Sequence, residues 1–171
     1  MSAPYFDTDE NALRFYNLFA RIVIAWSRIE RTMDISLAVR ARFVPQPGTR
    51  GKAIVSWSRK YRAFCKLCRQ TDELKEAPKR LTALLRELRV CVEIRHTLVH
   101  GYYHGFDDSD PPKVQFRAAR FNADTIEQRN LRMSHDDLFG FLQRLHALDY
   151  EMFSFNWAIR HARDKAPDVG E

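Results

Sequence analysis

Residues 94–103 read IRHTLVHGYY and bring a guanidinium, two imidazoles and two phenols close together in the chain. Histidine is the side chain whose ordinary titration, near pH 6.5, lets it give and take protons at neutral pH. Arginine complements it with a planar fork of donors whose positive charge is not lost. Arg95 and His100 therefore offer proton transfer beside a fixed cation. On an ideal helix residues five apart stand about 140° around the axis, so the two meet over one ligand only where the helix distorts or stops. Gly101 directly follows His100, and a left-handed C-terminal cap is expected there. His96 and His100, four apart, share a helix face.

The same residues also admit structural readings. A histidine in a last turn favours the helix dipole and bonds a terminal carbonyl. Arg95 can snorkel or pair with an acid, and Tyr102 and Tyr103 can pack across strands. A metal set is the chemical rival, because Glu93, His96, His100 and His104 would share one face of a continuous helix. Gly101 and Gly105 argue against that continuity, and His135, His146 and His161 are scattered, so no metal and no cofactor are assigned. Cys65 and Cys68 in CKLC have ligand spacing without a second pair to complete a site. With Cys91 they make an odd set, read as small core residues in a reducing compartment. The chain carries no phosphate loop, dinucleotide glycine motif or nucleophile elbow.

The elements that must position Arg95 and His100 are helical. Phe15, Phe19, Ile22, Trp26, Ile29, Met33 and Leu37 recur at steps of three and four, predicting a helix from about Thr8 to Phe43. VPQPGTRG breaks the chain, and a second helix is expected from Lys52 to about Gln70. A third begins near Pro78 and carries Leu81, Leu84, Leu88, Cys91 and Leu98. Its seam puts Arg95 where a leucine would be expected, which is costly unless the guanidinium is paired or faces a wet crevice. From residue 102 to 133 the period changes to short aromatic and β-branched runs separated by turns, predicting a small antiparallel β excursion. Ser134 with Asp137 then opens a last helix through Leu138, Phe141, Leu145, Leu148, Met152, Phe155 and Ile159. The expected fold is mainly α: one domain over residues 1–171, a four-helix up-down bundle with residues 102–133 inserted before the last helix.

A net charge of +6 favours a polyanionic partner such as RNA. In KVQFRAARF, Lys113, Arg117 and Arg120 would meet phosphates and Phe116 would stack on bases. No apolar run approaches the ~20 residues that span a bilayer. MSAPYFDTDENA lacks a basic segment followed by an apolar core, so a cytoplasmic protein is expected, away from membranes.

The run Arg95-His96-Thr97-Leu98-Val99-His100, ending a long helix and followed by Gly101 and Tyr102, resembles the signature of the HEPN superfamily. These higher eukaryote and prokaryote nucleotide-binding domains are helical bundles marked by an arginine followed at short spacing by a histidine. The resemblance covers the helices and leaves residues 102–133 unexplained. It implies a metal-independent endoribonuclease acting as a homodimer with a composite Arg-His site, in toxin-antitoxin systems or phage defence. The ribose 2′-OH would attack the adjacent phosphorus, leaving a 2′,3′-cyclic phosphate and a free 5′-OH. Arg95 would then stabilise the transition state and His100 would act as general acid or base. His96 and Tyr102 would orient or touch substrate, and Glu30 would pair with Arg95. In toxins of this kind the tyrosine is adenylylated by a nucleotidyltransferase antitoxin, which makes such an antitoxin an expected partner. His96 stands where the family usually carries Asn or Asp. That departure opens a second reading: an inactive HEPN module that dimerises and binds RNA, nucleotide or a protein partner.

Overall fold

The computed structural model describes residues 10–43, 56–107, 109–121 and 126–164. Elements run α1 (Glu10–Phe43), α2 (Trp57–Gln70), α3 (Asp72–Lys75), α4 (Pro78–His100), β1 (Tyr102–Phe106), β2 (Val114–Phe121), β3 (Ile126–Met133) and α5 (His135–Asp164). The protein is mainly helical, with a small three-stranded antiparallel sheet, ordered β1-β2-β3, inserted before α5. The break at VPQPGTRG and the expected start of the second helix fall at residues 44–55, outside the described residues.

Apolar periodicity sets the helices. Phe15, Ile22, Trp26, Ile29 and Met33 are buried along α1, as are Leu81, Leu84, Leu88, Cys91 and Leu98 along α4. In α5 the expected stripe from Leu138 to Ile159 is buried throughout. Its start is a reciprocal cap: the Asp137 N–H donates to Ser134 Oγ at 3.1 Å, and the Ser134 N–H donates to the Asp137 carboxylate at 2.9 Å. The short α3 has no counterpart in the sequence reading. It is a single turn entered at Thr71, whose buried hydroxyl donates to the Leu67 carbonyl at 3.0 Å.

The chain divides into two compact units, one of Met1–Trp26 with Val90–His146, the other of Ser27–Arg89 with Ala147–Glu171. In the second unit Tyr61 donates to the Leu85 carbonyl at 3.0 Å, and burial pushes its phenol up to about 12. There too, buried Ser36 reaches Asn156 Oδ1 at 3.1 Å, and Lys60 pairs with Asp34 at 2.8 Å. In the first unit the sheet turns its apolar face to α1. Phe15 meets Phe106 edge-on at 4.8 Å, and Phe19 stacks on Phe116 at 6.2 Å.

Alternation fixes which strand residues face that packing. Val114, Phe116 and Met133 are buried, whereas Arg117, Gln128, Asn130 and Arg132 between them are exposed. A bulge between Tyr103 and Gly105 interrupts the β1–β2 register, and Gly105 supplies the left-handed backbone there, φ 97. Beyond β1, Asp107 organises the turn. Its carboxylate accepts the Ser109 N–H at 3.2 Å and the Lys113 N–H at 3.0 Å, and pairs with Arg132. The Ser109 hydroxyl and then the Arg132 guanidinium hold this carboxyl well below the usual carboxylate range.

Candidate functional site

The site is built on the last two turns of α4. Its N-terminal stretch winds because Leu, Arg, Ala and Glu dominate it and Pro78 occupies its first position, where a missing N–H is harmless. It ends at His100 because the next residues are taken by the sheet: Tyr102 pairs with Arg117 of β2. Gly101 does not take the left-handed cap the sequence suggests; among the described residues only Gly105 has a positive φ. Its N–H closes the last turn onto the Thr97 carbonyl at 2.9 Å. A Cβ on Gly101 would collide with that carbonyl and stand 3.2 Å from the Arg117 carbonyl oxygen. Close approach of two backbones, rather than backbone handedness, accounts for this glycine.

At that end Arg95 and His100 meet. Arg95 Nη1 lies 3.3 Å from His100 Nε2, with His100 exposed and Arg95 half-buried. A guanidinium only donates, so a hydrogen bond here requires the His100 tautomer whose Nε2 is free to accept. The Arg95 side chain spans the angular gap between the two positions, and α4 stops directly after His100. Arg95 Nε is buried and has no hydrogen-bond partner among the described residues. The His96 ring, also exposed, stands 4.8 Å from the His100 ring. The arrangement is an imidazole and a cationic fork side by side on an exposed helix end. It can take up a proton and oppose negative charge on one ligand.

The neighbouring residues divide by role. Tyr102 is 71% exposed, its ring 4.9 Å from that of His104. Glu30 is half-buried on α1, in the second unit, whereas Arg95 belongs to the first. Arg117 is exposed on β2, and Lys113 is half-buried at the end of the Asp107 turn. The backbone of Arg120 lies on β2; its side chain is outside the described residues. Phe116 is not a stacking residue for nucleic acid. It is 8% exposed and packs between Phe19 and Tyr103, because its strand position faces α1.

The rival metal set is pulled apart. α4 ends at His100 and His104 belongs to β1, so the four residues do not share one helical face. Glu93 instead pairs with Arg129 of β3, tying the sheet to the helix. That clamp was missed by the sequence reading, although the polar alternation in IEQRNLRM carries a signal for it. Among the described residues no three His, Cys, Asp or Glu side chains gather as metal ligands would. Burial pushes the Cys68 thiol up to about 12. A cavity of about 250 Å³ lies elsewhere in the first unit, lined by Arg14, Asn17, Leu18, Arg21, His135 and Phe139. No described helix is long and apolar enough to cross a membrane.

Comparison with known protein families, with curated proteins and with solved structures finds no match for this chain.

Proposed function

We propose that this chain is a HEPN-type, metal-independent endoribonuclease, working as a homodimer in a toxin-antitoxin or phage-defence setting. In this reading the four long helices α1, α2, α4 and α5 pack as an up-down bundle. The observation that carries it is the 3.3 Å approach of Arg95 Nη1 to His100 Nε2 on an exposed helix end. A phosphate arriving there draws the Arg95 donors onto its oxygens and releases the Nε2 lone pair to the ribose 2′-OH. Attack of that oxygen on phosphorus expels the 5′-oxygen. Arg95 opposes the charge of the crowded phosphorane. The leaving oxygen needs a proton, and the second His100 of a two-fold dimer, in its imidazolium form, supplies it. Tyr102 is the residue a nucleotidyltransferase antitoxin would modify.

Purified protein is expected to cut single-stranded RNA in excess chelator, leaving 2′,3′-cyclic phosphate and 5′-OH ends. Arg95→Ala and His100→Ala should each reduce cutting by at least ~100-fold, as loss of acid-base or charge stabilisation does elsewhere. Cutting unchanged in both variants would overturn the assignment.

A second reading, a catalytically silent HEPN module that dimerises and binds RNA, nucleotide or protein, is favoured by one observation. His96 occupies the position beside Arg95 and stands against His100, ring to ring at 4.8 Å. This reading predicts binding without turnover, and RNA cleavage by the parent chain eliminates it.

A further inference from the structure

The outward face of the sheet carries an aromatic ring, amides and guanidinium groups. Tyr102, Arg117 and Asn130 are consecutive cross-strand partners and form one row. Gln115 with Arg132 and Ala119 with Gln128 pair in the rows on either side. Tyr102 is 71% exposed, so its ring adds little to any core. Arg132 is held by Asp107, while Arg117 has no acidic partner among the described residues. The rows themselves contain no acidic side chain.

We propose that this face seats single-stranded RNA, with an unpaired base stacked on Tyr102 and the backbone on Arg117, and delivers it to Arg95 and His100. The inference rests on the ribonuclease reading of that pair. Its occupant is set by charge and chemistry together. A guanidinium without an acidic partner among the described residues, beside an exposed aromatic ring met edge-on by His104, suits a phosphate followed by a base. The amides of Asn130, Gln115 and Gln128 can donate to and accept from base edges without adding charge. Unpaired bases are required, because a base inside a duplex offers its face to its neighbours and not to a side chain. Continuity with the reactive turn argues for RNA over a protein ligand. Only Gly101 separates His100 from Tyr102, and the Arg117 carbonyl lies so near Gly101 that an added Cβ would stand 3.2 Å from it, which sets the helix end against the row. A base held on Tyr102 therefore places its neighbouring phosphate toward His100.

The test is fluorescence anisotropy of a labelled single-stranded oligoribonucleotide against the full chain carrying His100→Gln, so that cutting does not obscure affinity. Tyr102→Ala in that background is expected to weaken binding roughly fivefold or more, the effect of losing one stacked base. Tyr102→Phe keeps the ring and should restore parental affinity. Arg117→Ala should reduce the salt dependence of binding by about one phosphate contact. Unlabelled single strands should compete, and duplex RNA and an acidic polypeptide should not. Unchanged affinity in Tyr102→Ala, equal competition by duplex or polypeptide, or no binding by the parent overturns the proposal. Weakened binding in Tyr102→Ala from a parent that never cuts RNA would retain the seat and discard the nuclease. Cutting that depends on His100 with no effect of Tyr102→Ala on binding would do the reverse.

Discussion

Arg95 stands at a seam position of α4, between buried Cys91 and Leu98, where packing alone would choose leucine. Its Nε is buried without an acceptor among the described residues, a situation that costs on the order of 1–3 kcal/mol. On the proposed reading this residue serves chemistry against stability, which makes a separable expectation. Arg95→Leu should raise the thermal midpoint, by an amount equivalent to about 1 kcal/mol, while RNA cutting disappears. Calorimetric melting reads the first effect, and a lowered midpoint would show that the guanidinium is a structural member of the seam. The misfit at Arg95 and the proximity of His100 are legible in the sequence, because a 3.6-residue period exposes any polar intruder. The face occupied by Phe116 is not. An alternating strand has two faces, and only the ring stack with Phe19 decides which one is apolar.

Among the elements, the helices are the readable part and the junctions are not. The stripe of α5 and its Ser134–Asp137 cap follow from spacing and local hydrogen bonding, which depend on nearby residues alone. The end of α4 depends on β2, a strand more than a dozen residues further on, so local chemistry assigns the wrong conformation to Gly101. The single turn α3 is too short for periodicity to register. The junctions also set a pH dependence. Asp107 is held low first by the Ser109 hydroxyl and then by Arg132, and Asp137 first by the Ser134 N–H and then by its hydroxyl. A carboxylate depressed in the folded state adds stability above its unfolded pKa, about 3.9 for aspartate, and loses it as pH falls through the folded value. Thermal midpoints should therefore hold near neutrality and fall below about pH 4. Asp107→Asn should lower the midpoint at pH 7 and flatten the acid slope. An unaltered slope would show that the turn is not stabilised through that carboxylate.

At the scale of the whole molecule, the proposed reaction needs both an acid and a base, and one chain presents a single Arg95–His100 contact. In the proposed reaction a two-fold partner would supply the second. On α5, Tyr150, Phe153 and Trp157 recur at helical spacing and are 70%, 63% and 56% exposed, which gives the proposed dimer an apolar face to test. Sedimentation at micromolar concentration is expected to give a dimer, and Phe153→Asp with Trp157→Asp a monomer that no longer cuts RNA. A parent chain that is monomeric and still cuts would remove the composite site and leave a one-chain mechanism. Partner surfaces of this kind are only weakly legible in a sequence, because an exposed aromatic and a core aromatic share the same helical period. Burial in the fold separates them.

The passage from α4 to β1 across Gly101 carries a mechanical consequence. A connector of one residue has no slack, and β1 is an outer strand hydrogen-bonded on one side only. Any transient peeling of that strand must pull on the final turn that bears His100, so the two open as one cooperative segment. The lifetime of the Arg95–His100 contact is thus governed by how firmly an outer strand stays zipped, and in the proposed reaction a ligand that clamps the sheet would also sharpen the aim of the imidazole.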